Sequence, residues 1–177
     1  LAGHLLNRAG IADRIFAFAD AMVGHVRGGL AHVNVVASMI FAGMSGVAQA
    51  DAAGLGVVEV KAMREEGYDP AFAAAVSAAS AIIGPIIPPS VIMVVYAVLV
   101  QASVADMFLA GFLPGILMGG TLMAMIYWLV RTGRVKAPAT RPMSHPRLGR
   151  SFVRALPALA APILLTVGLL AGVATPT

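Results

Sequence analysis

The chain has 177 residues, 59% of them hydrophobic and 11% charged, with a mean hydropathy of +0.89. Its formal charge is +4 and it contains no cysteine, which excludes disulfides and thiolate metal sites, while the apolar content excludes an ordinary soluble domain. Several uncharged stretches approach or exceed the ~20 residues that cross a bilayer, so the expected class is an all-α membrane protein.

The chain starts at Leu1 with no basic region ahead of a short apolar core, so no signal peptide is expected. It stops at Gly172-Val-Ala-Thr-Pro-Thr177, which reads as the opening of a further feature, and truncation at both ends is expected. Residues 1–27 comprise the tail of a span, Leu1 to Arg8, followed by an amphipathic helix. There Ile11, Ile15, Phe18, Ala19, Met22 and Val26 recur at helical spacing, while Asp13, Arg14 and Asp20 fall elsewhere on the wheel. That helix either lies in the interface or packs as a scaffold arm.

Residues 28–66 form two apolar arms, Gly29 to Phe41 and Ala48 to about Val60, interrupted at Gly43-Met44-Ser45-Gly46. Each arm falls short of a ~30 Å hydrocarbon core at 1.5 Å per residue. Arg27 stands at one base, Lys61 and Arg64 at the other. A re-entrant hairpin entering from and returning to the cytoplasm explains both facts. Two ordinary spans would give the same sidedness, and length favours the hairpin.

Residues 67–107 contain the most informative segment. Ala71 to Ala105 has no Lys, Arg, Asp, Glu or His, yet Gly84-Pro85-Ile86-Ile87-Pro88-Pro89-Ser90 lies in its middle. Each proline lacks an N–H and crowds the carbonyl one turn back, so a single helix cannot continue. Such a break at membrane depth survives only inside protein or beside a wet cavity, as in the discontinuous helices of secondary transporters.

Residues 108–130 read as a transmembrane helix with Tyr127 and Trp128 at its interface. Residues 131–154 carry Arg131, Arg134, Lys136, Arg141, Arg147, Arg150 and Arg154 with no acid, interspersed with Pro138, Pro142, Pro146 and Gly149. Between apolar spans this is a cytoplasmic loop under the positive-inside rule, not a nucleic-acid site. Residues 155–177 form a final outward span, kinked at Pro162, and the start of another repeat.

The ordered strings His25-Val-Arg-Gly-Gly-Leu-Ala-His-Val-Asn34, Ala37 to Gly46, Ala50-Asp-Ala-Ala53, Gly67-Tyr-Asp-Pro-Ala-Phe-Ala73, Gly84 to Ser90 and Phe108-Leu-Ala-Gly111 with Pro114-Gly115 carry a family resemblance. Over nearly its whole length the chain resembles the large, DctM-like membrane subunit of tripartite ATP-independent periplasmic (TRAP) transporters. The resemblance implies one half of an inverted-repeat, elevator-type transporter in the bacterial inner membrane, with a helical bundle, a re-entrant hairpin and a broken helix. It implies sodium-driven import of organic acids such as dicarboxylates or sialic acids. A periplasmic solute-binding protein and a small membrane subunit are the implied partners. No enzymatic activity and no cofactor beyond Na⁺ as coupling ion are expected.

Sodium prefers hard oxygen ligands, which a hairpin tip facing a helix break can supply. The candidates on this reading are Ser45, Gly46 and Asp51 from the hairpin and Gly84, Pro85, Pro88 and Ser90 from the break, with Asn34, Ser38 and Gln49 as weaker ones. Na⁺ is expected near Ser45 and Gly84. Asp51 alone also suits a helix N-terminus, and glycines 43 and 46 alone could simply turn the chain. The chain departs from the family pattern at Val47 and Ala48, where further serines are usual, and at Ala81 and Ile82, where hydroxyls are usual.

His4, His25, His32 and His145 are too scattered for a metal centre. Gly111, Gly115, Gly119 and Gly120 make a small-residue stripe suited to close helix packing. An intramembrane enzyme would need a nucleophile with its base, or a metal-binding pair, at shared depth, and no such set is apparent. The competing expectation is another carboxylate symporter or antiporter that works without a binding protein.

Overall fold

The computed structural model describes residues 10–138, together with 149, 151–153, 155–157, 159–160, 164 and 167–168. The expected tail of a preceding span, much of the basic loop, the Pro162 kink and the start of a second repeat lie outside the described residues. Among the described residues the chain is helical, with no strand.

Helix α1 spans Ile11–Val23 and packs along α2, Gly29–Ser45. Its buried positions are Ala12, Ile15 and Ala19, with Phe16 and Val23 partly covered. The expected stripe is therefore rotated: Met22 is 39% exposed, because α2 meets α1 along the small side chains Ala12 and Ala19. Phe18 lies beside Phe152, ring centroids 5.7 Å apart, so α1 packs on protein on this side too.

Helix α2 is buried over most of its surface from Leu30 to Gly43, with Val36, Met39 and Ile40 partly covered, as expected of a core helix rather than a surface one. Gly43 and Met44 remain helical, contrary to the expected interruption at Gly43. The helix ends only at Gly46, whose φ of 58° lies in the left-handed region and whose N–H bonds to the Ala42 carbonyl at 2.9 Å. Glycine adopts that conformation without penalty, which is why the chain turns there. Val47 is extended and α3 begins at once, Ala48–Glu65. The two arms pack on each other and are about 26 and 27 Å long at 1.5 Å per residue.

The base of this hairpin is closed by Tyr68, which is 3% exposed and stacks on Phe72. Helix α2 has no side-chain cap at Gly28, and the N–H groups of Ala31 and His32 fold back on the Gly28 carbonyl at 2.9 and 3.3 Å. Burial, and the charge of Glu66, push the Tyr68 phenol up to about 12. Helix α4, Pro70–Ala81, then starts on an Asp69 cap, whose Oδ2 accepts from Phe72 N–H at 2.9 Å, with Pro70 in the first turn.

The helix does break where three prolines fall. After Ala81 the backbone makes successive turns, and helix resumes only at α5, Val91–Leu99, about 14 Å long. Helix α4 packs mainly on both hairpin arms and only edges α6, Val104–Arg131, whereas α5 packs on α6. Thus the two halves of one apolar run belong to different parts of the bundle. Helix α6, about 42 Å long, is the one helix among the described residues long and apolar enough to cross a bilayer alone.

The glycine stripe of α6 does the packing expected of it. Gly111 faces the Ile86 carbonyl and Met93, Gly115 faces Ile87, and Gly119 faces Met39 of the hairpin. Gly120 looks into open space and is outside that seam.

Candidate functional site

Two features define the site: the hairpin tip lies against the helix break, and a buried polar core lies beneath it. At the tip, a Cβ on Gly46 would run into the Pro89 carbonyl and stand 3.0 Å from Ser90 Cα. A Cβ on Gly84 would lie 3.7 Å from the backbone nitrogen of Ala48, the first residue of α3. Four nominated residues, Ser45, Gly46, Gly84 and Ser90, thus fall in or next to one seam. Pro85 and Pro88 lie in the same turn-rich segment.

Their chemical states differ. The Ser45 hydroxyl is buried and has no hydrogen-bond partner. Both carboxylate oxygens of Asp51, one turn into α3, are likewise buried without a partner, on a residue 1% exposed. By contrast, the Ser90 hydroxyl is engaged: it donates to the Pro85 carbonyl at 2.6 Å and accepts from Met93 N–H at 3.3 Å. Ser90 is the N-cap of α5 and staples the break closed. No backbone N–H among the described residues reaches the carbonyls of Gly84, Pro88 or Pro89, which leaves these oxygens free to accept from another donor or a cation. Gln49 is exposed.

The polar core joins α2, α3 and α4. Asn34 donates to Ser77 Oγ at 2.5 Å, and its Oδ1 accepts from Ser80 Oγ at 2.8 Å. Ser38 Oγ lies 3.1 Å from Ser80 Oγ and 3.3 Å from Glu59 Oε1, to which it donates. Glu59 is 1% exposed and lies about two turns beyond Asp51 on the same side of α3. Among the described residues no cationic side chain pairs with either. Asn34 and Ser38 were reached from sequence; Glu59 and Ser77 were not. The spacing held the signal, since Asn34/Ser38 at i,i+4 and Ser77/Ser80 at i,i+3 put polar groups on one face of otherwise apolar helices.

This arrangement, a glycine-turned helical hairpin against a proline-broken helix, sits in a chain whose relatives are informative. The profile of the tripartite ATP-independent periplasmic transporter DctM component matches residues 1–177. The chain belongs to that family. It is 45% identical over 177 residues to the sialic acid TRAP transporter permease protein SiaT of Haemophilus influenzae, covering all of this chain and 28% of that protein. It is 45% identical over 179 residues to the sialic acid TRAP transporter large permease protein SiaM of Vibrio cholerae, covering 41% of it. The C4-dicarboxylate TRAP transporter large permease protein DctM of Pseudomonas aeruginosa is 39% identical over 177 residues, with 41% of its length covered. This TRAP chain therefore spans less than half the length of these relatives.

Proposed function

We propose that the chain is part of the membrane subunit of a sodium-coupled secondary transporter that imports organic acids by an elevator motion in the bacterial inner membrane. Sialic acid or C4-dicarboxylates are the substrate class suggested by the names of its relatives. A small TRAP membrane subunit and a periplasmic binding protein complete the assembly on this reading.

One observation carries the proposal: the unpartnered hydroxyl of Ser45 at the hairpin tip and the buried, unpartnered carboxylate of Asp51 one turn into α3 flank a break whose carbonyls no backbone N–H reaches. Buried oxygen acceptors without donors favour a hard cation, and a carboxylate so enclosed is held either by a bound cation or as the neutral acid. On this reading Na⁺ enters as co-transported substrate, draws the hairpin tip onto the break, and completes half of a site for the carboxylate solute. The hairpin is re-entrant, because neither arm spans the ~30 Å core and its buried polar face needs α4. The chemistry asks only for binding and movement, so no residue acts as a catalyst.

The test is uptake by the full-length permease reconstituted with its small subunit and binding protein. Ser45→Ala and Asp51→Asn should each raise the sodium concentration for half-maximal uptake, about tenfold for the charged ligand. Uptake that is indifferent to sodium, or unchanged sodium dependence in both variants, overturns the sodium assignment. Uptake that persists without any binding protein favours a binding-protein-independent symporter.

A further inference from the structure

The buried polar core holds more oxygen–oxygen links than hydrogens to fill them. Glu59 Oε1, Ser38 Oγ, Ser80 Oγ and Asn34 Oδ1 lie in a row, with successive separations of 3.3, 3.1 and 2.8 Å. Each of these three links needs one hydrogen. The two hydroxyls bring one apiece, while the amide oxygen and an ionised carboxylate bring none, so one link would set lone pair against lone pair. Turning the Asn34 amide round does not mend this. Its nitrogen already donates to Ser77 Oγ and faces Met63 Sδ at 3.8 Å, and a thioether sulfur only accepts. No cationic donor faces Glu59 among the described residues either. Helix α4 has no ionisable residue, and the one on α2, His32, sits about 120° round the helix from Ser38. On α1, Arg14 is exposed, and Asp13 and Asp20 line a pocket with Glu65 at the base of α3. On α3 itself Lys61 and Arg64 are exposed, and Asp51 is a second acid.

We infer that Glu59 is a proton-binding site: its carboxyl is the neutral acid and gives Ser38 a hydrogen in place of receiving one. Ser38 then keeps its own hydrogen for Ser80, Ser80 donates to Asn34, and Asn34 donates to Ser77. One added hydrogen fills every link, and all of them run in one direction, the arrangement in which neighbouring hydrogen bonds strengthen one another. The ligand is a proton and not a metal ion, because the oxygens next to Glu59 are already engaged with one another at hydrogen-bond spacing. Ser45 and Asp51, whose buried oxygens have no partner, are the opposite case. The two buried acids of α3 are therefore compensated by different means, and of the two only Asp51 is open to a cation. The proton also ties three helices together, since the row passes from α3 to α2, on to α4 and back to α2. The inference goes beyond the transport reading and does not depend on sodium.

The experiment is infrared spectroscopy of the full-length permease with its small subunit in liposomes at neutral pH, comparing the wild type with Glu59→Gln. The difference spectrum should show the loss of the carbonyl stretch of one protonated carboxylic acid. Ser38→Ala should move that band to higher frequency, because it removes the acceptor of the acid's hydrogen, and added sodium should leave the band in place. Glu59→Gln offers Ser38 a hydrogen without a charge and should keep the wild-type melting temperature, whereas Glu59→Ala, which leaves a cavity and an empty link, should lower it by several degrees. Loss of an ionised carboxylate band in the difference spectrum, or an acid band that disappears when sodium is added, overturns the inference. A Glu59→Gln protein that fails to fold overturns it too, since the amide supplies what the neutral acid does. Uptake indifferent to sodium, with the Glu59 band intact, overturns the sodium assignment alone.

Discussion

Gly46 of the hairpin tip and Pro89 of the helix break are in backbone contact, with no room for a side chain between them. The chain is therefore turned and docked by one residue. Gly46→Ala would meet a left-handed φ, costing about 1–2 kcal/mol, and a fixed carbonyl that cannot rotate away. It should lower the melting temperature in detergent and abolish uptake, whereas Gly120→Ala, facing open space, should change neither.

Gly111 presents a second such contact. A Cβ there would stand 2.6 Å from the Ile86 carbonyl, a backbone atom of the break, as well as touching flexible Met93. Gly111→Ala should destabilise more than Gly119→Ala, whose nearest neighbours are atoms of the movable Met39 side chain. Thermal unfolding of the two variants side by side checks the order.

Ser90 behaves differently from Ser45. Because its hydroxyl both caps α5 and holds the Pro85 carbonyl, Ser90→Ala should cost about 1 kcal/mol of stability and leave the sodium half-saturation nearly unchanged. Ser45→Ala should do the reverse, since no partner is lost. Paired measurements of melting temperature and sodium dependence distinguish the two roles.

The polar core makes a stability prediction of its own. Asn34→Ala removes the partner of both Ser77 and Ser80 within a buried network, and should cost about 1–3 kcal/mol. Asn34→Ala combined with Ser77→Ala should cost less than the sum of the two, because the residues are in contact.

Tyr68 gives a pH dependence. Its folded phenol is pushed up to about 12, above the ordinary value near 10, so the neutral form is the one the fold favours. Its contribution is fully present below about pH 10 and is lost as pH rises toward 12. Tyr68→Phe should flatten the alkaline fall in melting temperature while lowering stability at neutral pH by about 1 kcal/mol.

Much of this architecture was legible in the chain because proline and glycine act locally. The prolines at 85, 88 and 89 remove donors wherever they stand, and the break appears there. Gly46 was legible as a turn, but Gly43 was not legible as helical, since burial between neighbours decides that and sequence alone does not show neighbours. Met22 was misplaced for the same reason: helical periodicity fixes spacing, but the rotation of a stripe depends on what covers it. Glu59 was hidden by its company. Next to Lys61, Arg64 and Glu65 it reads as one charge of a solvated helix end, and only the packing of α4 turns it inward.

The inward aim of Asp51 and Glu59 has a consequence for assembly. An acidic residue at the centre of a membrane helix costs about 2.5–3.5 kcal/mol on the translocon scale, and this hairpin carries two. The hydroxyls that meet its polar face, Ser77 and Ser80, are synthesised later, on α4. The hairpin's polar face therefore gains its hydroxyl partners only from the helix that follows it in the chain, so Pro70–Ala81 and the hairpin form one polar-cored unit whose parts cannot be exchanged separately.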